Sequence, residues 1–327
     1  MVRLLFVLLV TCASAAQAAD WKVARIATPG RVIALATVDG EVRVDAGWLW
    51  YVAASKDNKV SLRFVDQMVW PKPPEGALAD GHLATGKGDI AHAWLAEPTD
   101  RYEHGVLGDK IEAGSVVIET SAGKRFTVKL KPDAVFEDLN VRLADLDGDG
   151  HDEAVVVKSY LKRGSALAVI GERKGNYEVI AETPPQGEPY RWLNPAGIAD
   201  FTGDGRPEIA FVRQPHAVGT LELWALRDNN LQKLAELPDF SNHIAGSRDI
   251  DMSAVADFDG DGRPDLALPS FDRRRLRIVS FAPSAREIAS IPLPAKAATN
   301  LALLPGTKGP LIVLGLDDGS LVMVTRE

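Results

Sequence analysis

Three stretches of the chain, ADLDGDGHDE at 144–153, ADFTGDGRPE at 199–208 and ADFDGDGRPD at 256–265, are nearly superimposable. Their first aspartates, Asp145, Asp200 and Asp257, stand 55 and 57 residues apart. A fixed period of this size marks a stacked supersecondary unit. Each acidic stretch is followed by a β-branched or apolar run: Ala154 to Val157, Ile209 to Val212 and Leu266 to Leu268. Two more runs complete each period, and a short one such as Val141 to Ala144 precedes the acids. Gly, Asn and Asp punctuate the gaps, as in Gly175-Asn176 and Asp228-Asn229-Asn230, which signals hairpins. No useful stretch carries a helical 3.6 period. Four short strands per period predict an all-β fold, a β-propeller built of four-stranded blades.

Working outward, the flanks read as weaker copies. Residues 31–70 and 78–131 each hold three strand-like runs. At the C-terminus Leu311 to Leu314 and Leu321 to Thr325 form a unit one strand short. The stretch Trp21 to Ala27 is the expected supplier of the missing strand, closing the ring. Counting gives six blades, with seven as the alternative, in a single domain over 19–327 whose three acidic-loop blades lie within 137–292.

The rest of the composition bounds the setting. The chain has 327 residues, 46% hydrophobic and 25% charged, with 28 Gly and 20 Pro, which is globular rather than disordered. Its net charge of -8 repels phosphate backbones and argues against a nucleic-acid partner. Residues 1–18 read as a secretory signal peptide: Arg3, an apolar Leu4 to Val10, and Ala16-Gln17-Ala18 as the cleavage site. The expected destination is the periplasm or the exterior. The one cysteine, Cys12, lies inside that leader, and Thr11 before it is a poor lead-in for lipid attachment. No later run approaches the roughly twenty apolar residues of a membrane span.

The acidic loops carry the chemistry. Positions 1, 3, 5 and 9 hold Asp145, Asp147, Asp149 and Glu153 in the first loop, and Asp257, Asp259, Asp261 and Asp265 in the third. The middle loop has Asp200, Asp204 and Glu208, with Thr202 in place of the position-3 acid. Alternate spacing wraps the chain around a point, and glycine at position 6 permits the positive φ of a tight wrap. Position 7, His151, Arg206 or Arg263, would add a backbone carbonyl. Hard oxygens without nitrogen or sulfur predict Ca²⁺, structural in role, at up to three sites. An EF-hand is excluded, because position 12 is Val156, Phe211 or Leu268 where that loop needs a glutamate, and a strand follows in place of a helix. Capping of a tight turn by the same acids is the bland alternative, but several carboxylates facing one another repel without a cation.

These loops resemble the FG-GAP repeats, also called VCBS repeats, of integrin α-subunit propellers and many exported bacterial proteins. The resemblance covers residues 140–292. It implies that each acidic loop joins the first two strands of a blade and binds calcium, with metal roles for the eight carboxylates of the outer loops. Thr202 departs from the pattern and weakens the middle site.

Catalytic residues are harder to find. Arg101, Tyr102, His104, Asp109 and Glu112 crowd into the polar stretch 97–112, and His243, Arg248 and Asp249 into 241–251. Arg191-Trp192-Leu193-Asn194 occupies the equivalent place before the middle loop. No G-x-S-x-G or H-E-x-x-H is present. His82, His92, His151 and His216 look scattered, and Trp48 and Trp50 are expected to share one strand face. The expected function is a binding or interaction module for a protein or glycan. The alternative is a propeller hydrolase or lyase with its site near 101–112 and 243–249, which requires Arg101, His104, His243 and Arg248 to converge on one pocket.

Overall fold

The computed structural model describes residues 21–66 and 74–327. The leader, Cys12 and the end of the 31–70 unit therefore lie outside the described residues. Within them the protein is all β, with no helix and twenty-five strands.

The described residues open with β1 (Trp21–Ile26). A first unit follows, β2 (Val32–Val38), β3 (Glu41–Ala46), β4 (Trp50–Lys56) and β5 (Lys59–Val65). The second unit is β6 (Ala84–Thr85), β7 (Ile90–Thr99), β8 (Glu112–Thr120) and β9 (Arg125–Lys129). A three-residue strand, β10 (Ala134–Phe136), leads into the third: β11 (Arg142–Ala144), β12 (Glu153–Tyr160), β13 (Gly164–Arg173) and β14 (Asn176–Glu182). The fourth is β15 (Leu193–Ala199), β16 (Glu208–Arg213), β17 (Thr220–Arg227) and β18 (Asn230–Leu237). The fifth is β19 (Ala254–Ala256), β20 (Asp265–Pro269), β21 (Arg275–Ser280) and β22 (Arg286–Pro292). The last is β23 (Ala297–Leu304), β24 (Leu311–Leu316) and β25 (Leu321–Arg326).

Every pairing between these strands is antiparallel and runs in chain order within a unit. Two details depart from simple repetition. β10 pairs with β12 and, through Phe136 opposite Ala113, with β8, which fuses the second and third units into one nine-stranded sheet. The last unit takes its fourth strand from the other end of the chain, because β1 pairs with β25 from Trp21 opposite Arg326 to Ile26 opposite Leu321.

Burial explains the order within each unit. Val42, Val44 and Ala46 of β3 are buried on a period of two, while β12, β13 and β16 are buried almost along their length. The fourth strands, such as β18, are rich in exposed Lys, Gln and Glu, which suits an edge. Five apolar clusters sit between consecutive units: second with third around Val156 and Ile118, third with fourth around Phe211 and Leu167, fourth with fifth around Phe201 and Phe240, fifth with sixth around Ile278 and Leu314, and sixth with first around Val44 and Val313. Apolar burial is worth about 25 cal/mol per Å², so these interfaces hold unit to unit, joined between the second and third by the β10 ladder.

One expectation fails locally. Trp48 is not on a strand with Trp50: it sits in the turn before β4 with φ 69°, its N–H donating to Asp45 Oδ1 at 3.0 Å, and it is 82% exposed.

Candidate functional site

Each acidic repeat forms the turn between the first and second strands of its unit, and the three turns are built alike. The first aspartate, Asp145, Asp200 or Asp257, accepts the N–H of the position-4 glycine at 2.8, 2.8 and 2.6 Å. Its other oxygen accepts the N–H of the position-6 glycine at 3.0, 3.0 and 2.9 Å. Both glycines have positive φ in all three loops, from 77° to 90°, which side chains resist. Leu146, Phe201 and Phe258 are buried beneath the turns, and their N–H groups donate to the position-9 acids at 2.9 Å.

Three carboxylates then converge in each loop, their oxygens within 4.8 Å of one another: Asp145, Asp147 and Glu153; Asp200, Asp204 and Glu208; Asp257, Asp259 and Asp265. The position-9 acids are buried. Desolvation, with the neighbouring aspartates adding to it, pushes Glu153 up to about 7 and Asp265 up to about 6, and burial also raises Glu208. Asp265 Oδ1 is buried without a hydrogen-bond partner. Local turn capping therefore leaves an acceptor of this loop unsatisfied, and the oxygen-only donor set fits a hard cation.

The remaining expected ligands are arranged otherwise. Asp149 and Asp261 stand outside the converging trios and accept the N–H groups of His151 and Arg263, both at 2.8 Å. The His151 ring reaches Asp89 Oδ2 at 3.0 Å. Arg206 lies over Gly148 of the preceding loop, with Cγ 3.4 Å from where a side chain would begin, and Arg263 lies over Gly203 with Nε at 2.7 Å. Arg326 donates to the carbonyl of Asp259 at 2.5 Å. The position-7 arginines thus lie against the acidic loop before their own, whereas His151 reaches Asp89 of the second unit.

The middle loop carries its own cation. Thr202 Oγ1 donates to Glu208 Oε1 at 2.7 Å, and the Arg227 guanidinium stands 2.6 Å from Asp204 Oδ2 and 3.6 Å from Glu208 Oε1. The sequence shows the missing acid at 202, whereas Arg227, nineteen residues beyond Glu208 at the end of the next strand, carries no signal of its role.

A second cluster lies at the other end of the strands. In an up-and-down unit the second-to-third turn and the linker to the next unit sit opposite the first-to-second turn. The residues 100–111, 183–192, 214–219 and 238–253 all belong to such turns and linkers. They meet: the Gly246 N–H donates to the Val106 carbonyl at 2.8 Å, and Arg248 bridges Asp80 and Asp109 at 3.0 and 2.9 Å. The groups expected to converge do so only in part. Arg101 grips the Ala134 carbonyl through Nε at 3.0 Å and Nη2 at 2.5 Å. His104 Nδ1 and the fully buried Glu137 share a hydrogen bond of 2.6 Å, and the Ser159 hydroxyl donates to the other Glu137 oxygen. Burial, reinforced by Glu137, pushes the Glu112 carboxyl up to about 9.

His104 lines a cleft of about 60 Å³ together with Tyr190, Arg191, Trp192, Gln214 and His216. The cleft takes in neither Arg101 nor Arg248, and His243 lies behind it, buried against Trp192 with ring centroids 4.7 Å apart. His216, which looked scattered in the sequence, joins it: His216 Nε2 and His243 Nδ1 are 2.9 Å apart, and His243 Nε2 is 3.0 Å from the Ser247 carbonyl. Desolvation pushes the two rings down to about 4 and about 3.

Residues 145–211 and 200–268 each match the family model of the FG-GAP-like repeat. No curated protein matches the chain. Among solved structures it is similar to the rhamnogalacturonan lyase YesW, at 14% identity and a TM-score of 0.45 over 89% of this chain. It is similar also to the Bacillus licheniformis rhamnogalacturonan lyase PL11, at 15% and 0.45 over 84%. A third is BBS1N in complex with ARL6DN, at 13% and 0.42 over 88% of this chain and 74% of that one. The chain spans 65% and 56% of the two lyases' lengths, and at this distance they assign it no activity.

Proposed function

From the FG-GAP-like repeats over 145–268, we propose that the chain is an exported, calcium-braced β-propeller of six four-stranded blades that serves as a binding module for a protein or glycan partner. Six units in chain order, five apolar seams between consecutive units and the pairing of β1 with β25 all support the ring. Residues 1–18 act as the export leader.

The observation that carries the calcium reading is the three-fold recurrence of converging carboxylates, with one buried acid per loop and an unsatisfied Asp265 oxygen. Asp145, Asp147 and Glu153 would hold one ion, and Asp257, Asp259 and Asp265 another. Bound calcium supplies charge neutralisation and pins the first-to-second turn. In the middle loop Arg227 supplies part of that neutralisation. Binding is favoured over hydrolase or lyase chemistry because Arg101 and Arg248 are committed to structural partners.

Melting with calcium and with a chelator tests the reading. Calcium that binds only the folded chain adds about 2.7 kcal/mol at a hundredfold excess over its dissociation constant, so the midpoint should rise. An unchanged midpoint refutes the calcium brace.

A further inference from the structure

We propose that the cleft between His104, Tyr190 and His216 is the ligand site of this module, and that it takes a neutral sugar ring of a glycan. The proposal rests on the binding-module reading and names where that module binds and what chemistry it recognises.

Three features of the cleft demand three properties of the ligand. Tyr190 is 53% exposed and sits in the left-handed region at φ 62°, outside any two-residue hairpin. A bulky residue held there is strained, and such strain persists where the surroundings impose it. Here they do. The Tyr190 N–H donates to Tyr102 Oη at 2.8 Å, its ring stacks on Tyr102 with centroids 5.2 Å apart, and His104 lies against it at 5.2 Å. The result is a rigid aromatic face presented to solvent, suited to the apolar C–H face of a saturated ring.

The second feature is a fixed acceptor. The Ser247 carbonyl can only accept, so His243 Nε2 carries the hydrogen and His243 Nδ1 is bare. His243 Nδ1 therefore accepts from His216 Nε2–H, and the remaining nitrogen, His216 Nδ1, is a lone pair on a part-buried ring that lines the cleft. Burial keeps both rings neutral at physiological pH, so this lone pair is not masked by a proton. The stacking of His216 on Trp192, with an interplanar angle of 8°, fixes the ring plane. Such an acceptor calls for a hydroxyl or amide donor.

The third feature is charge. Arg191 lines the cleft, but its guanidinium already engages Glu188 Oε2 at 3.1 Å and Gln214 Oε1 at 3.3 Å. Glu137 lies buried behind His104. An anionic ligand thus finds no unpaired cation at Arg191 and a buried carboxyl group behind the opposite wall. An uncharged ring with hydroxyls on its rim and C–H groups on its face meets all three demands. The cleft of about 60 Å³ admits one substituent, with the ring resting on Tyr190.

Saturation-transfer NMR with methyl glycosides of glucose, galactose, mannose and N-acetylglucosamine, on the calcium-loaded chain, tests this. At least one glycoside should receive saturation, and glucuronate should receive less. Tyr190→Asn removes the ring but tolerates the left-handed backbone, so the variant should fold and weaken binding tenfold or more. His216→Phe keeps the stack on Trp192 and should weaken binding to a similar extent. Absence of transfer from all four glycosides, or binding that survives Tyr190→Asn, overturns the proposal. A chain that still melts higher with calcium after such a failure leaves the calcium brace standing, and a co-purifying protein lost on Tyr190→Asn would overturn the sugar assignment while upholding the binding-module reading, with the cleft as a protein site instead.

Discussion

At the scale of single residues, Arg227 and His243 make the sharpest claims. Arg227 neutralises Asp204 and Glu208 in the one acidic loop that lacks a position-3 carboxylate. Arg227→Gln leaves a buried glutamate without its cation, which should lower the urea-unfolding free energy by about 1–3 kcal/mol. Combined with Thr202→Asp, the same change should raise the calcium stoichiometry by one in calorimetric titration. An unchanged stoichiometry would mean that Arg227 does not displace the ion. His243 is held neutral at about 3, below its unfolded value near 6.5. The unfolded chain binds the extra proton between those limits, so folding stability falls as pH drops through that window, by up to about 1.4 kcal/mol per pH unit. Glu112, raised to about 9, acts in the opposite sense, its contribution being present below its unfolded pKa and lost as pH rises through 9. His243→Gln preserves an acceptor toward His216 and a donor toward Ser247 while removing the titration. Urea midpoints from pH 4 to 6.5 should show a flatter decline for the variant than for the parent, and parallel curves would refute the assignment.

At the scale of elements, the seams between units are specific. Gly197 lies in β15 at a register shift, and a methyl group there would overlap Val255 Cγ2 of the next unit. Gly197→Ala should therefore open the seam between the fourth and fifth units and cost about 1–3 kcal/mol, read from chemical denaturation. A neutral effect would show that this seam has slack. Much at this scale was legible beforehand. Short-range signals, glycine and acid at fixed offsets and apolar runs between turn residues, located the acidic turns and nearly every strand around them. The convergence of Asp145, Asp147 and Glu153 follows from that local code. Trp48 was misread because Gly47 and Trp48 turn the chain before β4 begins, a boundary that hydrophobicity alone hides. The cleft was only half legible. His104 was singled out for its polar surroundings and Arg191 for its place before the middle loop, yet Glu137, Tyr190 and His216 come from separate stretches and meet only through the packing of neighbours, which no local pattern encodes.

At the scale of the whole molecule, the two ends of the chain share a sheet. β1 covers the outer edge of β25, and Lys22 with Glu327 and Arg25 with Asp318 add exposed ion pairs worth little each. Trp21 packs on Phe258, with ring centroids 6.4 Å apart, so the strand also braces the third acidic loop. A chain beginning at Thr28 should melt at least a few degrees lower and self-associate on size-exclusion chromatography, because β25 would then present unpaired backbone groups. A monomeric truncated chain with the parent's midpoint would show β1 to be dispensable.

The same pairing orders events in time. Trp21–Ile26 leaves the ribosome well ahead of Leu321–Arg326, the partner that completes its ladder. The early segment must wait, unpaired, through the synthesis of nearly three hundred residues, and a product released before Leu321 has nothing to clasp it. Only a chain extended through Arg326 can fasten this buckle in full, so the topology itself separates molecules that contain β25 from shorter ones.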